Sequence, residues 1–387
     1  MPGYEINARF MESMMGVKQK LNQVPKVKQS KKNKYLRLAT LIKSLIVNLF
    51  NLPKDIEKFY EHINTTLSPY ENGKLDGKTS NELVEIYFEL ESKLMKKWQT
   101  PLVNDFYAMI FYGLLKKSLS KIDPNGTLQN DLLTGETGII STEPIKRIKL
   151  ISNKICNGKN AEKDIEEFIQ KFGNRCIGEL KLETITYKQD PSLLKFIINS
   201  YVKQGIIDLE KEQIREQEIR QNAEKIVKEQ IKNPFFSFIL KNARLRVKNR
   251  ENLRFERTRL FGLVREIFLE LGKNFAYENI IENQRDIFYL TKEEIFNYVR
   301  GTSVDVDLKT LIKNRKIEFQ DFETKHPADR FSTYGIVYKA NDYTSRETKT
   351  AEKGDLSGIG ACAGIVRAKV KIVKSVVQSE GLEGCIM

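Results

Sequence analysis

The sequence predicts a mainly α-helical protein, and three observations carry that prediction. Apolar residues recur at steps of three and four through most of residues 35–316. Gly-, Asn- and Pro-containing breaks divide these runs into helix-length pieces. Period-two alternation appears clearly in one place, after residue 365. The helical part is read as residues 1–340, with 1–34 as a polar lead-in. Residues 341–353 read as a linker, and 354–387 as a short β-bearing segment.

The lead-in carries seven basic residues and no acidic one from Lys26 to Lys43. Leu38, Leu41, Ile42, Leu45 and Leu49 then predict an amphipathic helix ending at Asn51-Leu52-Pro53. Residues 54–98 read as two helices separated by a loop from Ser68 to Ser80. The second helix repeats Leu83, Ile86, Leu90 and Leu94. Pro101 restarts the chain, and residues 102–119 form the most apolar helix, with Asn104 or Asp105 as its expected cap. The aromatic stripe of that helix, Phe106, Tyr107 and Phe111, reads first as core.

A turn at Asp123-Pro124-Asn125-Gly126 leads to the loop 132–143, with Thr142 capping the next helix and Pro144 in its first turn. An acidic helix from 164 runs into Arg175, Glu179, Lys181 and Glu183, which alternate in charge. They read equally as part of a ligand pocket or as an ion-pair network fixing a buried loop. Further helices are expected at 192–203, 209–232, 292–300 and 308–316, and an irregular connector at 318–353. Val366, Ala368, Val370 and Ile372 alternate with Arg367, Lys369 and Lys371, predicting a strand with one buried face.

Residues 244–268 organise the rest. Leu253, Leu260, Val264 and Ile267 make one apolar stripe of a helix, and Pro234 with Phe235 and Phe236 introduces it. Arg250, Arg254, Arg257 and Arg265 lie on another side, at steps of four, three and eight. A row of guanidinium groups suits a carboxylate or phosphoryl group, because Arg binds both bidentately. The plainer alternative is a solvated face in which Glu251 and Glu256 pair with Arg254 and Arg259.

The chain has 387 residues and a formal net charge of +14, with 40% hydrophobic and 30% charged residues. That balance fits a globular protein with an anionic partner: nucleic acid, an anionic surface or a phosphorylated small molecule. The four cysteines make no CxxC pair, which points to reduced cytoplasmic thiols. No apolar run near the N-terminus is long enough to span a bilayer. His62 and His326 are near no Cys pair, so no zinc signature is present.

Several of these stretches resemble the phosphoenolpyruvate synthase and rifampicin phosphotransferase group of PEP-utilising enzymes. They are Asn104-Asp105 before the aromatic helix, Thr134-Gly135-Glu136, Ser141-Thr142-Glu143-Pro144, and Phe172-Gly173-Asn174-Arg175 before Glu179-Leu180-Lys181-Leu182-Glu183. Asn249–Gly272, Asp286–Thr291 and the small-residue loop 355–364 ahead of the C-terminal strand complete the set.

The resemblance implies an ATP-dependent phosphotransferase whose helical domain binds the phosphoryl acceptor. It implies ATP and Mg for the complete enzyme, an ATP-grasp domain, and a swivelling domain carrying a phosphohistidine. Residues 1–340 resemble the helical domain, and 354–387 resemble the start of the swivelling domain. Neither His62 nor His326 matches the catalytic histidine, whose loop lies beyond the equivalent of Met387. The polypeptide is therefore expected to be inactive alone and to bind no cofactor itself. Its expected partners are a small-molecule acceptor and the ATP-grasp and histidine domains. Candidate acceptor- or phosphate-binding residues are Arg250, Arg254, Arg257, Arg175, Glu179 and Lys181, with apolar walls from Phe106, Phe111 and Phe261. The competing reading is a basic all-helical protein binding RNA or an acidic partner. It requires a continuous positive surface from Lys26–Arg37 to the Arg helix.

Overall fold

A computed structural model describes residues 31–325, apart from 72, 124–125 and 177. It also describes the short pieces 331–332, 344–345, 366–373 and 384–386. Eleven α-helices occur among the described residues. They are α1 (Lys31–Leu67), α2 (Ser80–Lys93), α3 (Gln99–Leu119), α4 (Thr127–Leu133), α5 (Glu143–Cys156) and α6 (Glu162–Phe172). There follow α7 (Ser192–Gln204), α8 (Leu209–Gln230), α9 (Pro234–Tyr277), α10 (Lys292–Val299) and α11 (Leu308–Asp321). The mainly α class is thus the observed one. The chain divides into two units, Met1–Pro53 and Lys54–Met387.

In the first unit the described residues are the leading part of α1, whose Tyr35, Ile46, Val47 and Phe50 are exposed. The predicted stop at Pro53 is not observed: α1 passes through Pro53 and ends at Leu67. A proline inside a helix costs about 3 kcal/mol. Burial of Ile56, Phe59, Ile63 and Leu67 along the following turns contributes about 1.5–3 kcal/mol for each side chain and outweighs that cost.

The second unit is built on α9, a helix of 44 residues. Asn233 accepts from Phe235 N at its start, and Pro234 occupies its first turn, where a missing N–H is harmless. Leu253, Leu260, Leu263, Ile267, Leu271 and Phe275 are buried along it. It packs along α2, α3 and the 3-10 turn Gln284–Tyr289. Phe268 stacks on Phe296 of α10, and Tyr87 of α2 meets both rings edge-on. A separate cluster, Ile148, Ile151, Phe168, Phe172, Leu194 and Ile198, joins α5, α6 and α7, and Phe255 of α9 packs against it.

Four boundaries differ from expectation. Helix α3 begins at Gln99, so Pro101 lies in its first turn and Asn104 and Asp105 lie inside it. Neither residue is the cap; Trp98 holds that position without a side-chain bond. Thr142 does precede α5, but its hydroxyl donates to Ile139 O instead of capping the helix. Helix α11 continues to Asp321, into what reads as connector. The C-terminal strand is two residues long, Lys369–Val370, paired in parallel with Cys385–Ile386. Its alternation does not produce a buried face: Val366, Val370 and Ile372 are exposed. The basic stretch before Lys31, His326, the loop 355–364 and most of the connector lie outside the described residues.

Candidate functional site

The Arg row forms one stripe of α9. Arg250, Arg254, Arg257 and Phe261 succeed one another at steps of four, three and four, which keeps them on one face. Arg250 and Arg254 are about half exposed, at 45% and 52%. Arg254 Nη1 lies 3.3 Å from Glu251 Oε1, the within-helix pair anticipated from sequence. Arg250 Nε lies 4.0 Å from Asp105 Oδ1 of α3. Among the described residues Arg257 has no carboxylate within 4 Å, and its buried Nε has no hydrogen-bond partner.

Asp105, expected as a helix cap, belongs to this site instead. Its neighbour Asn104 is fully buried and donates to Arg246 O, which locks α3 to α9. That lock turns Asp105 toward the Arg row. Burial pushes its carboxyl above the ordinary range, while Arg250, Arg254 and Arg257 pull it back down. A signal was present in the sequence: Asp105 is the sole acidic residue of 99–119.

The loop after α6 meets the opposite flank of the row. Arg175 Nε donates to Glu179 Oε1 at 3.0 Å, and Thr258 Oγ1 donates to Glu179 Oε2 at 2.7 Å. The same hydroxyl lies 3.3 Å from Arg254 O. Arg175 and Glu179 therefore stand beside the row, joined to each other. Lys181 contributes its backbone carbonyl to a buried contact, while its side chain is exposed.

Arg265 does not belong to the exposed row. It is 1% exposed and donates to the carbonyls of Leu182, Glu179 and Lys181 at 2.9–3.1 Å. Burial pulls its guanidinium pKa down. Eight residues beyond Arg257, it meets the 176–183 loop instead of solvent and acts as that loop's anchor. Of the expected apolar walls, Phe111 is taken up by the core against Phe238, with ring centroids 5.8 Å apart. Phe106 and Phe261 are half-buried.

Loop 134–143 is fixed to α9 by a two-way amide clamp. Asn252 Nδ2 donates to Gly138 O at 3.0 Å, and Asn252 Oδ1 accepts from Ile140 N at 2.9 Å. Among the described residues no group of three or more His, Cys, Asp or Glu side chains converges as a metal requires. What the arrangement offers is a fixed, partly desolvated cationic strip with two carboxylates, Asp105 and Glu251, at its edge.

Comparison with known proteins finds similarity to one family. The rifampicin phosphotransferase fourth domain matches residues 153–251, a span that includes Arg175, Glu179, Lys181 and Arg250. A rifampicin phosphotransferase of Streptomyces sviceus is 20% identical over 250 residues, covering 60% of this chain and 27% of the relative. Those of Bacillus cereus and Bacillus subtilis are 19% and 21% identical over 239 and 243 residues. The chain is therefore similar, over about 60% of its length, to PEP-utilising enzymes of the rifampicin phosphotransferase type. It spans about a quarter (27%) of the length of these relatives. Among the described residues no helix is long and apolar enough to cross a membrane.

Proposed function

We propose that the helical unit supplies the acceptor-binding part of an ATP-dependent phosphotransferase. The strip of Arg250, Arg254 and Arg257, edged by Asp105, would receive the phosphoryl-bearing end of the reactants. The observation that carries this reading is Arg257: a guanidinium on the strip without a carboxylate partner, its Nε buried and unbonded among the described residues. Transfer of a phosphoryl group depends on positioning and charge neutralisation more than on covalent help. Guanidinium groups held rigidly by a packed helix supply both. The relatives are named for phosphorylating rifampicin. A hydroxyl-bearing small molecule is the corresponding acceptor class here.

On this reading phosphoryl donation comes from ATP-binding and histidine-carrying parts of the kind the family uses. Their chemistry is outside the strip, and the 387 residues alone transfer nothing from ATP. The setting is cytoplasmic, in keeping with free thiols at Cys156, Cys176 and Cys385.

Isothermal titration of the chain with inorganic phosphate, as a mimic of the transferred group, tests the strip. Binding is expected, and Arg254→Ala and Arg257→Ala should each weaken it about tenfold, the scale of one charge-assisted bond. Phosphate binding that ignores both substitutions would remove the strip from the reaction. Formation of a phosphorylated acceptor from ATP by the isolated chain would refute the division of labour.

A further inference from the structure

A cavity of about 960 Å³ opens on the other side of α9. Phe255, Arg259, Gly262 and Glu266 line it at steps of four, three and four. This stripe is offset by five residues from the Arg row. At about 100° per residue, that places it roughly 140° round the helix. The cavity is therefore separate from the strip, and its ligand is independent of the phosphoryl chemistry proposed for the strip.

Its cationic side chains are already engaged. Arg259 grips Glu71 through Nε and Nη2 at 3.1–3.2 Å and reaches Glu256 at 2.7 Å. Lys188 pairs with Glu266 at 2.6 Å, and Lys171 with Glu143 at 2.6 Å. Arg265 is 1% exposed and held by three backbone carbonyls, and its Nη1, though unbonded among the described residues, is buried away from an entering ligand. A phosphate taken by Arg259, Lys188 or Lys171 would have to break an existing ion pair and leave a carboxylate uncompensated.

Uncharged hydrogen-bonding groups are in the opposite condition. Among the described residues, the side chains of Asn174 and Gln170 make no hydrogen bond and Asp76 makes no ion pair, and all three line the cavity. Gln189 uses its oxygen on Thr186 N, and Gln284 uses its nitrogen on Leu269 O, so each amide keeps one group for a ligand. Ile169, Phe255 and Leu269 add half-buried apolar surface. Gly262 shapes the floor: a Cβ there would fall 2.4 Å from Asn174 Cγ, so only glycine lets the Asn174 amide lie against the helix.

We infer that this cavity is a second small-molecule site, built for an uncharged polyhydroxylated compound such as a neutral sugar or glycoside. Amides and a lone carboxylate pair with hydroxyl groups, which both donate and accept. The aromatic and aliphatic surface takes the C–H faces of the sugar. Pre-neutralised ion pairs keep anionic metabolites out, which is selectivity by repulsion as well as attraction.

The test uses the full chain with phenyl β-D-glucoside, observed by saturation-transfer NMR and quantified by titration calorimetry. The glucoside is expected to bind, with transfer to both ring and sugar protons. Asn174→Ala should weaken it about tenfold, and Asp76→Asn should weaken it less. Arg254→Ala, on the opposite face, should leave it unchanged, and about 10 mM inorganic phosphate should not displace it. Circular dichroism checks that both cavity variants fold; neither side chain makes a bond that the described fold relies on. Absence of binding, displacement by phosphate, or affinity indifferent to both cavity substitutions would overturn the inference.

Discussion

Glu294 sits at the start of α10, where three N–H donors from two residues, Arg315 and Thr291, converge on one carboxylate. Both of its oxygens accept from Arg315 at 2.7 Å, and Oε2 also accepts from Thr291 N at 2.7 Å in a capping box. These bonds hold its carboxyl at about 2, chiefly through Arg315. The folded value lies below the unfolded one, so the stabilisation is complete above about pH 4.5 and is lost as pH falls toward 2. A shift of this size corresponds to about 3 kcal/mol; partial exposure reduces it to about 2 kcal/mol. Glu294→Gln should therefore lower Tm at pH 7, and the gap to the parent protein should shrink between pH 4.5 and pH 2.5. An equal gap at every pH would show that packing, not charge, holds this corner.

Residue scale is also where legibility from sequence ends. Arg250 and Arg265 carry the same side chain on the same helix, yet one is half exposed and the other is sealed under the 176–183 loop. Helical spacing places both off the apolar stripe but is silent about which loop folds over which turn. The two alternatives for Arg175 and Glu179 stay open in the sequence for the same reason. The structure joins them to each other and to Thr258, beside the strip.

At the scale of elements, α9 shows what glycine contributes inside a helix. Gly272 carries no side chain where the chain turns back at Gln284–Tyr289, and a Cβ there would lie 2.1 Å from Gln284 O. Alanine is intrinsically better in a helix by about 1 kcal/mol. The clash reverses that preference, because the obstacle is backbone and cannot swing away. Gly272→Ala is expected to destabilise by about 2 kcal/mol, read as a lower urea midpoint with an unchanged m-value. A rise in midpoint would mean that the turn moves freely. Helices with strong periodicity are legible in the sequence, including α2, α7, α8 and α10. Boundaries set by tertiary burial are not, as in α1, where the face from Ile56 to Leu67 carries the helix through Pro53. The short strand Lys369–Val370 shows the converse. Its alternating sequence needs a partner layer to have an inside, and its apolar residues are exposed among the described residues.

At the scale of the whole molecule, the net charge of +14 poses a question that composition cannot answer. It suits an RNA-binding surface and a phosphoryl-binding strip equally well. The charges on α9 give the two readings different expectations. On α9, Arg244, Arg254 and Arg259 each hold a carboxylate, and Arg265 is buried on carbonyls. The cationic strip is three arginines long, and Asp105 and Glu251 accompany it. Such a strip neutralises one phosphoryl group well but tracks a polyanion poorly. Single-stranded RNA binding loses affinity with a slope of about −0.7 per neutralised phosphate in a log–log plot against salt. A strip of this size therefore predicts a slope no steeper than about −2 for a poly-uridine oligomer of about 20 nucleotides, with weak binding at physiological salt. Arg254→Ala and Arg257→Ala should remove most of what binding there is. Fluorescence anisotropy between about 50 and 200 mM salt measures this directly. A slope of about −5 or steeper that survives both substitutions would place the working surface elsewhere and favour the basic RNA-binding protein over the phosphotransferase part.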